Sequence, residues 1–308
     1  MVKGMLLFQQ MIILLILMLV GYICYKVRML TDDTCKMLSS IVLNIANPAL
    51  ILYASMGTET KIQGTELAIT VGIAFGMFGV LMLVSYVMPI VLKVERKSYG
   101  IYRVMTTFSN IGFMGFPLIS AVYGTGALLY ASLFSIPYNI LIYTYGINAM
   151  KKADTAKEKL NLSKVFNIGV IACILSVAIY LLRITLPQYI ISADKYLSDL
   201  TAPLSMIVIG ASLATINIKK LFIDGRLLAF AALKLVVIPI AGFLLVEQII
   251  SDEVLRGVCF IMLATPVGSM TAMLAQQYDG DYEVATKGVA LTTLLSVATI
   301  PLVSAIMM

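Results

Sequence analysis

Two apolar segments of the chain are each interrupted near the centre by residues that break helices and carry hydrogen-bonding groups. Asn110 and Gly112 interrupt the first segment, and Pro266 and Gly268 interrupt the second. Proline removes a backbone donor, and glycine lowers helix propensity by about 1 kcal/mol relative to alanine. A helix that restarts after a break presents free N–H groups and the positive end of its dipole. Two such ends that meet at the midplane of a membrane predict a binding site for a small anion.

Two asparagines in an earlier apolar segment extend this predicted site. Asn44 and Asn47 precede Pro48, and they either line the site or form hydrogen bonds between helices. The competing interpretation of both interruptions is that they are proline kinks and glycine packing notches, which membrane helices use routinely. The predicted substrate-binding residues are Asn44, Asn47, Asn110, Ile111, Gly112, Thr265, Pro266, Val267, Gly268 and Ser269.

Two ionisable residues are candidates for coupling transport to an ion, either H⁺ or Na⁺. Lys234 lies inside an apolar segment, where an ionisable residue is rare and often functional. Its distance of about 12 Å from the nearer end of the segment lets a lysine stem reach the interface, which favours a structural role. Asp199 lies four residues before Pro203. It is either a proton carrier or a solvated acid at the start of a helix.

The residue types that most enzymes use are missing or scattered. The sequence has no histidine, and its four cysteines form no CxxC pair. Histidine-based acid–base catalysis, histidine metal sites and Ser-His or Cys-His nucleophile pairs are therefore excluded. No two acidic residues pair within an apolar segment. We expect neither enzymatic activity nor a metal or cofactor.

The composition indicates that the bilayer is the solvent. Hydrophobic residues make up 60% of the 308 residues and charged residues 12%, whereas a soluble domain carries roughly 25% charged residues. The bases lie in short clusters between apolar segments, which indicates membrane topology rather than nucleic-acid binding. Segments of about 20 apolar residues predict membrane-spanning helices. They cover 5–26, 34–56, 67–93, 99–122, 125–150, 164–184, 192–215, 225–248, 254–276 and 284–307.

The distribution of basic residues predicts the orientation of these helices. Of the 22 lysines and arginines, 16 lie on the side that follows odd-numbered segments, 5 lie on the other side, and Lys234 lies inside a segment. Because cytoplasmic loops carry the excess of basic residues, both termini should lie outside a bacterial plasma membrane. The polar stretch 151–164 should lie in the cytoplasm.

The same stretch divides the chain into two halves of five predicted helices. The halves cover 1–150 and 164–308, and the loop 151–163 separates them. An odd number of helices per half forces opposite orientations, which is the inverted repeat of many secondary transporters. Prolines at matching positions support the repeat. The pairs are Pro48 with Pro203, Pro89 with Pro239, Pro117 with Pro266, and Pro137 with Pro301.

Four short motifs along the whole chain resemble the auxin efflux carrier family, also called PIN-like transporters, which includes bacterial malate and malonate permeases. Residues 44–50 resemble its NxxxPAL pattern, and residues 109–118 its SNxGFxGxPL segment. Residues 203–213 resemble its PLxxxxxGASL segment, and residues 265–268 match its second crossover. The chain departs from plant members at Ser109, where they carry proline, so auxin itself is doubtful as the substrate.

The resemblance implies an all-α integral membrane fold of ten transmembrane helices in two inverted five-helix repeats. Helices one, two, six and seven would form a scaffold, and the others a mobile transport domain in which broken helices four and nine cross. It implies secondary active transport of a small carboxylate, a dicarboxylate or auxin-like acid among them, by an elevator-type motion. A channel or a membrane sensor with the same fold is the alternative. The predicted partners are the anion and membrane lipids, and a homodimer is left open.

Overall fold

The computed structural model describes residues 2–56, 64–150, 166–217, 221–278 and 280–307, and within these ranges it contains helices and no β-strand. The predicted loop 151–163 and the start of the predicted segment 164–184 lie outside the described residues. We number the helices in chain order: α1 (Val2–Lys26), α2 (Asp32–Met56), α3 (Gly64–Val91), α4 (Tyr99–Thr107), α5 (Ile111–Tyr123), α6 (Ala127–Met150), α7 (Ile168–Leu181), α8 (Gln188–Ala214), α9 (Gly225–Ile249), α10 (Glu253–Ala264), α11 (Ser269–Gln277) and α12 (Tyr282–Met307).

Seven of the described helices are long and apolar enough to cross a membrane: α1, α2, α3, α6, α8, α9 and α12. Their ends differ from the predicted segments by at most four residues. The predicted segments 99–122 and 254–276 are each two helices, α4 with α5 and α10 with α11, separated by short extended stretches. The interruptions in the sequence therefore correspond to real breaks in the helices.

Prolines also widen helices that they do not break. A proline ring clashes with the carbonyl one turn before it and provides no N–H group, and a π turn is one way to accommodate such a defect. Three π turns each end two residues before a proline. They are Val42–Ala46 before Pro48, Ile111–Gly115 before Pro117, and Leu233–Val237 before Pro239.

Glycines bring α1 and α8 into backbone contact. A Cβ atom at Gly21 would overlap the carbonyl oxygen of Ile207, and one at Gly210 would overlap that of Met18. Small residues at both crossings let the helix axes approach closely, as membrane helices commonly do. This pair therefore forms a tightly packed unit.

Two sets of helices can be distinguished by their contacts, and α1 of the first set also packs against α12 of the second. Helix α2 packs against α7 and α8, which together with α1 make up the first set. In the second set, α3 packs against α4, α9 against α10, and α11 against α12. Helix α5 contacts both sets: it packs against α1 and α8 of the first set and against α6 and α10.

Candidate functional site

The two breaks lie against each other and are joined by their backbones. The N–H group of Asn110 donates to the carbonyl of Pro266 at 2.7 Å, and that of Gly268 donates to the carbonyl of Phe108 at 3.0 Å. Ser109 and Val267 thereby form an antiparallel β-bridge. Buried backbone groups need partners, and the two breaks provide these partners for each other.

Residues on both sides of this crossing hold its extended backbone in place. The N–H group of Val267 donates to the hydroxyl of Thr292 on α12 at 3.1 Å. A Cβ atom at Gly268 would lie 3.0 Å from the carbonyl oxygen of Ser109, which is closer than side chains normally approach. A side chain at position 268 would therefore have to move the two backbones apart by a few tenths of an ångström, and glycine avoids this shift.

A cavity of about 200 Å³ lies beside the crossing. Seven of the ten predicted substrate-binding residues line it: Asn44, Asn47, Asn110, Ile111, Gly112, Gly268 and Ser269. Thr265, Pro266 and Val267 do not line it; all three are buried, and the backbones of Pro266 and Val267 pair with the first break. The side chains that line this cavity in the described part of the chain are all uncharged.

Two amide side chains at this cavity have unused hydrogen-bonding atoms. The Nδ2 atom of Asn110 and the Oδ1 atom of Asn47 are buried and have no partner in the protein, and the residues are 4% and 6% exposed. A buried polar atom without a partner costs about 1–3 kcal/mol. A polar ligand in the cavity would recover this cost.

The first turns of α5 and α11 also face the cavity. Gly112 and Phe113 of α5 line it, as do Ser269 and Met270 of α11. The first N–H groups of a helix lack acceptors within the helix and carry the positive end of its dipole. The cavity therefore offers hydrogen-bond donors and a positive potential without a charged side chain.

Sequence reasoning missed the opposite wall of the cavity. Ser135, Tyr138, Asn139 and Tyr143 of α6 line it, together with Asn167 before α7. The ring of Tyr138 packs edge-on against Phe108 at a centroid distance of 5.4 Å. Polar residues at positions 135, 138 and 139 share one face of a helix. This spacing is a usable sequence signal, whereas the prediction for this segment used only Pro137.

A larger cavity of about 620 Å³ lies next to the first, and we call it the vestibule. The two cavities share Leu43, Asn44, Phe113 and Ser269. Its other lining residues include Asp32, Lys36, Thr215, Tyr282 and Thr286. These residues lie at the start of α2, the end of α8 and the start of α12. The vestibule therefore extends from these helix ends to Asn44.

Lys234 contacts the crossing but does not belong to the lining of the cavity. It is fully buried, and its Nζ atom donates to the Ser109 hydroxyl at 2.7 Å and to the Thr106 carbonyl at 3.2 Å. The expectation that its stem reaches the interface is wrong, because the side chain points into the helix bundle and caps the end of α4. It does not line either cavity.

Asp199 lies away from the site. Its carboxylate pairs with Lys195 one turn earlier on α8 at 2.7 Å, and its side chain is 58% exposed. Exposed pairs of this kind contribute about 0.3–0.5 kcal/mol. Its position favours the interpretation as a solvated acid.

Known proteins resemble this chain over nearly its whole length. A family model described as membrane transport protein matches residues 6–164 and 154–304. An uncharacterized transporter of Methanocaldococcus jannaschii is 25% identical over 301 residues, which cover 94% of this chain and 96% of the relative. A putative malonate transporter of Rhizobium meliloti is 22% identical over 294 residues, which cover 92% of this chain and 90% of the relative.

A third relative is the lysosomal cholesterol signaling protein of Mus musculus, which is 22% identical over 307 residues. The aligned region covers 91% of this chain but 35% of that protein. The family match confirms the resemblance carried by the four motifs. The chain belongs to the membrane transport protein family that includes the auxin efflux carriers, and it is a multi-pass membrane protein.

Proposed function

We propose that the protein is a secondary active transporter of a small organic anion that carries at least one carboxylate. The observation that carries this proposal is the unpartnered Asn110 amide at the start of α5, inside a cavity that adjoins a vestibule. A carboxylate accepts hydrogen bonds, and the groups unused here at the helix starts and on Asn110 are donors.

The charge of the anion and the size of the cavity narrow the substrate class. An uncompensated charge at the bilayer centre costs at least about 2.5–3.5 kcal/mol on insertion scales, so the helix ends must offset it. Pockets for drug-sized ligands measure about 300–1,000 Å³, and this cavity of about 200 Å³ suits a smaller molecule. A short carboxylate such as malonate is small enough for this cavity and carries the negative charge that the helix ends can offset. One relative is named a putative malonate transporter.

The lining of the cavity supports an elevator-type mechanism. In this proposal the ten membrane-crossing segments form two inverted repeats, with α1, α2, α7 and α8 as the scaffold and the other helices as the transport domain. Asn47 belongs to the scaffold, whereas Asn110 and Gly268 belong to the transport domain, and all three line one cavity. A shift of one domain against the other would move the anion across the membrane and open it to alternate sides.

The proposed setting is a bacterial plasma membrane with both termini outside. In this orientation the vestibule opens to the cytoplasm, so the structure corresponds to an inward-facing state. The basic asymmetry of the loops supports this assignment.

A substrate screen in proteoliposomes tests the proposed function. Purified protein would be reconstituted, and uptake of radiolabelled malonate, succinate, pyruvate and indole-3-acetate would be measured with and without pH and Na⁺ gradients. We expect saturable uptake of at least one short carboxylate that a gradient drives above equilibrium. Failure to transport any of these acids would contradict the proposal, and single-channel currents would favour the channel alternative.

A further inference from the structure

Lys234 satisfies a backbone carbonyl that the first break leaves without its usual partner. In an unbroken helix the carbonyl of Thr106 would accept from the N–H group of Asn110, which instead donates to Pro266. The ammonium of Lys234 takes that place at 3.2 Å. Carbonyls at the end of a helix carry partial negative charge. In transporters with broken helices, such ends coordinate the coupling Na⁺ or H⁺.

This buried ammonium has no counter-charge in the described part of the chain. Burial removes the ammonium from water, and no charged side chain in the described residues lies beside it. The helices that pack against its turn carry ionisable residues at other positions, and two ion pairs among them, Arg256 with Glu247 and Lys287 with Glu283, lie near helix ends. The ionisable residues on these helices are Tyr99, Tyr102, Arg103, Arg226, Glu247, Glu253, Arg256, Cys259, Tyr282, Glu283 and Lys287.

The contacts of Lys234 suit both of its protonation states. A charged ammonium donates to the Ser109 hydroxyl and to the Thr106 carbonyl, as in this structure. A neutral amine would still donate to the carbonyl and would accept from the hydroxyl, because a hydroxyl group is both donor and acceptor. Both hydrogen bonds of Lys234 are kept in either state, and one N–H group has no acceptor in the described residues in either state. Loss or gain of the proton therefore requires no rearrangement of the crossing.

We propose that Lys234 carries the coupling proton: it is protonated when an anion occupies the cavity and neutral when the cavity is empty. This inference rests on the proposed function. Ser109 joins the two sites, because it contacts Nζ and directly precedes Asn110, which lines the cavity. The step breaks one O–H bond of a hydronium ion, which becomes water, and forms one N–H bond on the amine. A monocarboxylate and this proton would cross the membrane together as a neutral pair.

The proposed coupling predicts the direction in which anion affinity changes with pH. An anion next to the crossing stabilises the charged form of Lys234, and by reciprocity the charged form strengthens anion binding. Anion affinity should therefore increase as the pH falls and decrease as it rises. One linked proton gives a limiting slope of about tenfold in affinity per pH unit.

Malonate binding to purified wild type, Lys234→Arg and Lys234→Met at several pH values tests the proposal. Proton uptake on binding would be measured in weakly buffered solution. Malonate titrates in the same way for every variant, so differences between variants isolate the lysine. We expect the wild type to take up about one proton more per malonate than Lys234→Arg, whose charge is fixed. Lys234→Met should bind malonate measurably but more weakly than the wild type. Its affinity should lack the part of the pH dependence that comes from the lysine.

Lys287→Met serves as the matched control, since it removes a lysine near the membrane surface and should keep the wild-type pH profile. Equal proton uptake in wild type and Lys234→Arg would overturn the role of Lys234. If Lys234→Met does not fold, the comparison of proton uptake between the wild type and Lys234→Arg still tests the role of Lys234. Failure of the wild type to bind malonate, succinate or pyruvate would count against the proposed function itself.

Discussion

Asn110 combines three properties that rarely occur together in one residue. It ends the extended break, it begins the first turn of α5, and its side-chain nitrogen is buried without a partner. The backbone N–H group is already used by Pro266, so only the side chain is available to a ligand. Asn47 faces the same cavity from α2 with an unpartnered oxygen. These two amides therefore define the polar end of the site.

Replacing Asn110 by alanine should weaken carboxylate binding by about tenfold to hundredfold, because a hydrogen bond to a charged group contributes about 1.5–3 kcal/mol. Equilibrium binding of the transported acid to the purified variant would measure this. Asn148→Ala is the matched control, since the Asn148 amide donates to Thr144 within α6 and does not line either cavity. Unchanged affinity in Asn110→Ala would exclude this side chain from the site.

Gly268→Val should abolish transport, because a side chain there would push Ser109 away and separate the two breaks. Uptake into proteoliposomes, with monodisperse elution to verify folding, would measure this. Gly76→Val is the control, since a Cβ atom at Gly76 of α3 meets no other atom within 4 Å. Full activity of Gly268→Val would mean that the close crossing is unnecessary.

At the scale of helices, the sequence predicted where the chain breaks but not what each break contacts. Prolines and glycines act on their own backbone, so Gly112 and Pro266 indicate the two breaks without any knowledge of neighbouring helices. The orientation of the Lys234 side chain depends instead on the Thr106 carbonyl, which the end of α4 leaves without a helical partner. That information lies 128 residues away in the chain. The polar face of α6 is different, because the spacing of Ser135, Tyr138 and Asn139 can be read from the sequence.

The contact between α1 and α8 gives a prediction about stability. Gly210→Leu should lower the thermal stability of the purified protein, because overpacking of a close contact typically costs about 1–3 kcal/mol. Thermal unfolding in detergent would measure the effect. Gly72→Leu on α3, where a Cβ atom meets nothing within 4 Å, should melt like the wild type. Equal melting of both variants would show that this helix pair tolerates separation.

At the scale of the whole molecule, the composition and the motifs predicted the all-helical membrane fold and the family. Hydropathy and residue order are properties of the sequence alone, and seven spans were placed to within four residues. The ten-helix inverted repeat, the division at 151–163 and the orientation stay predictions. They depend on the membrane and on residues outside the described ranges.

The vestibule allows the orientation to be tested with a native cysteine. Cys35 lines the vestibule, so a variant that keeps only Cys35 should react with an impermeant maleimide in inside-out vesicles. It should not react in intact cells, because the vestibule faces the cytoplasm in the proposed orientation. A variant that keeps only the fully buried Cys259 should stay unlabelled in both preparations. Labelling of Cys35 from outside the cell would reverse the orientation.

The structure of the protein with its transported acid bound tests the central claim most directly. We predict that a carboxylate lies within hydrogen-bonding distance of the Asn110 amide and of N–H groups in the first turns of α5 and α11. Lys234 should then remain in contact with Ser109. An anion bound directly to Lys234, or held in the vestibule by Lys36 with the cavity at Asn110 empty, would contradict the account.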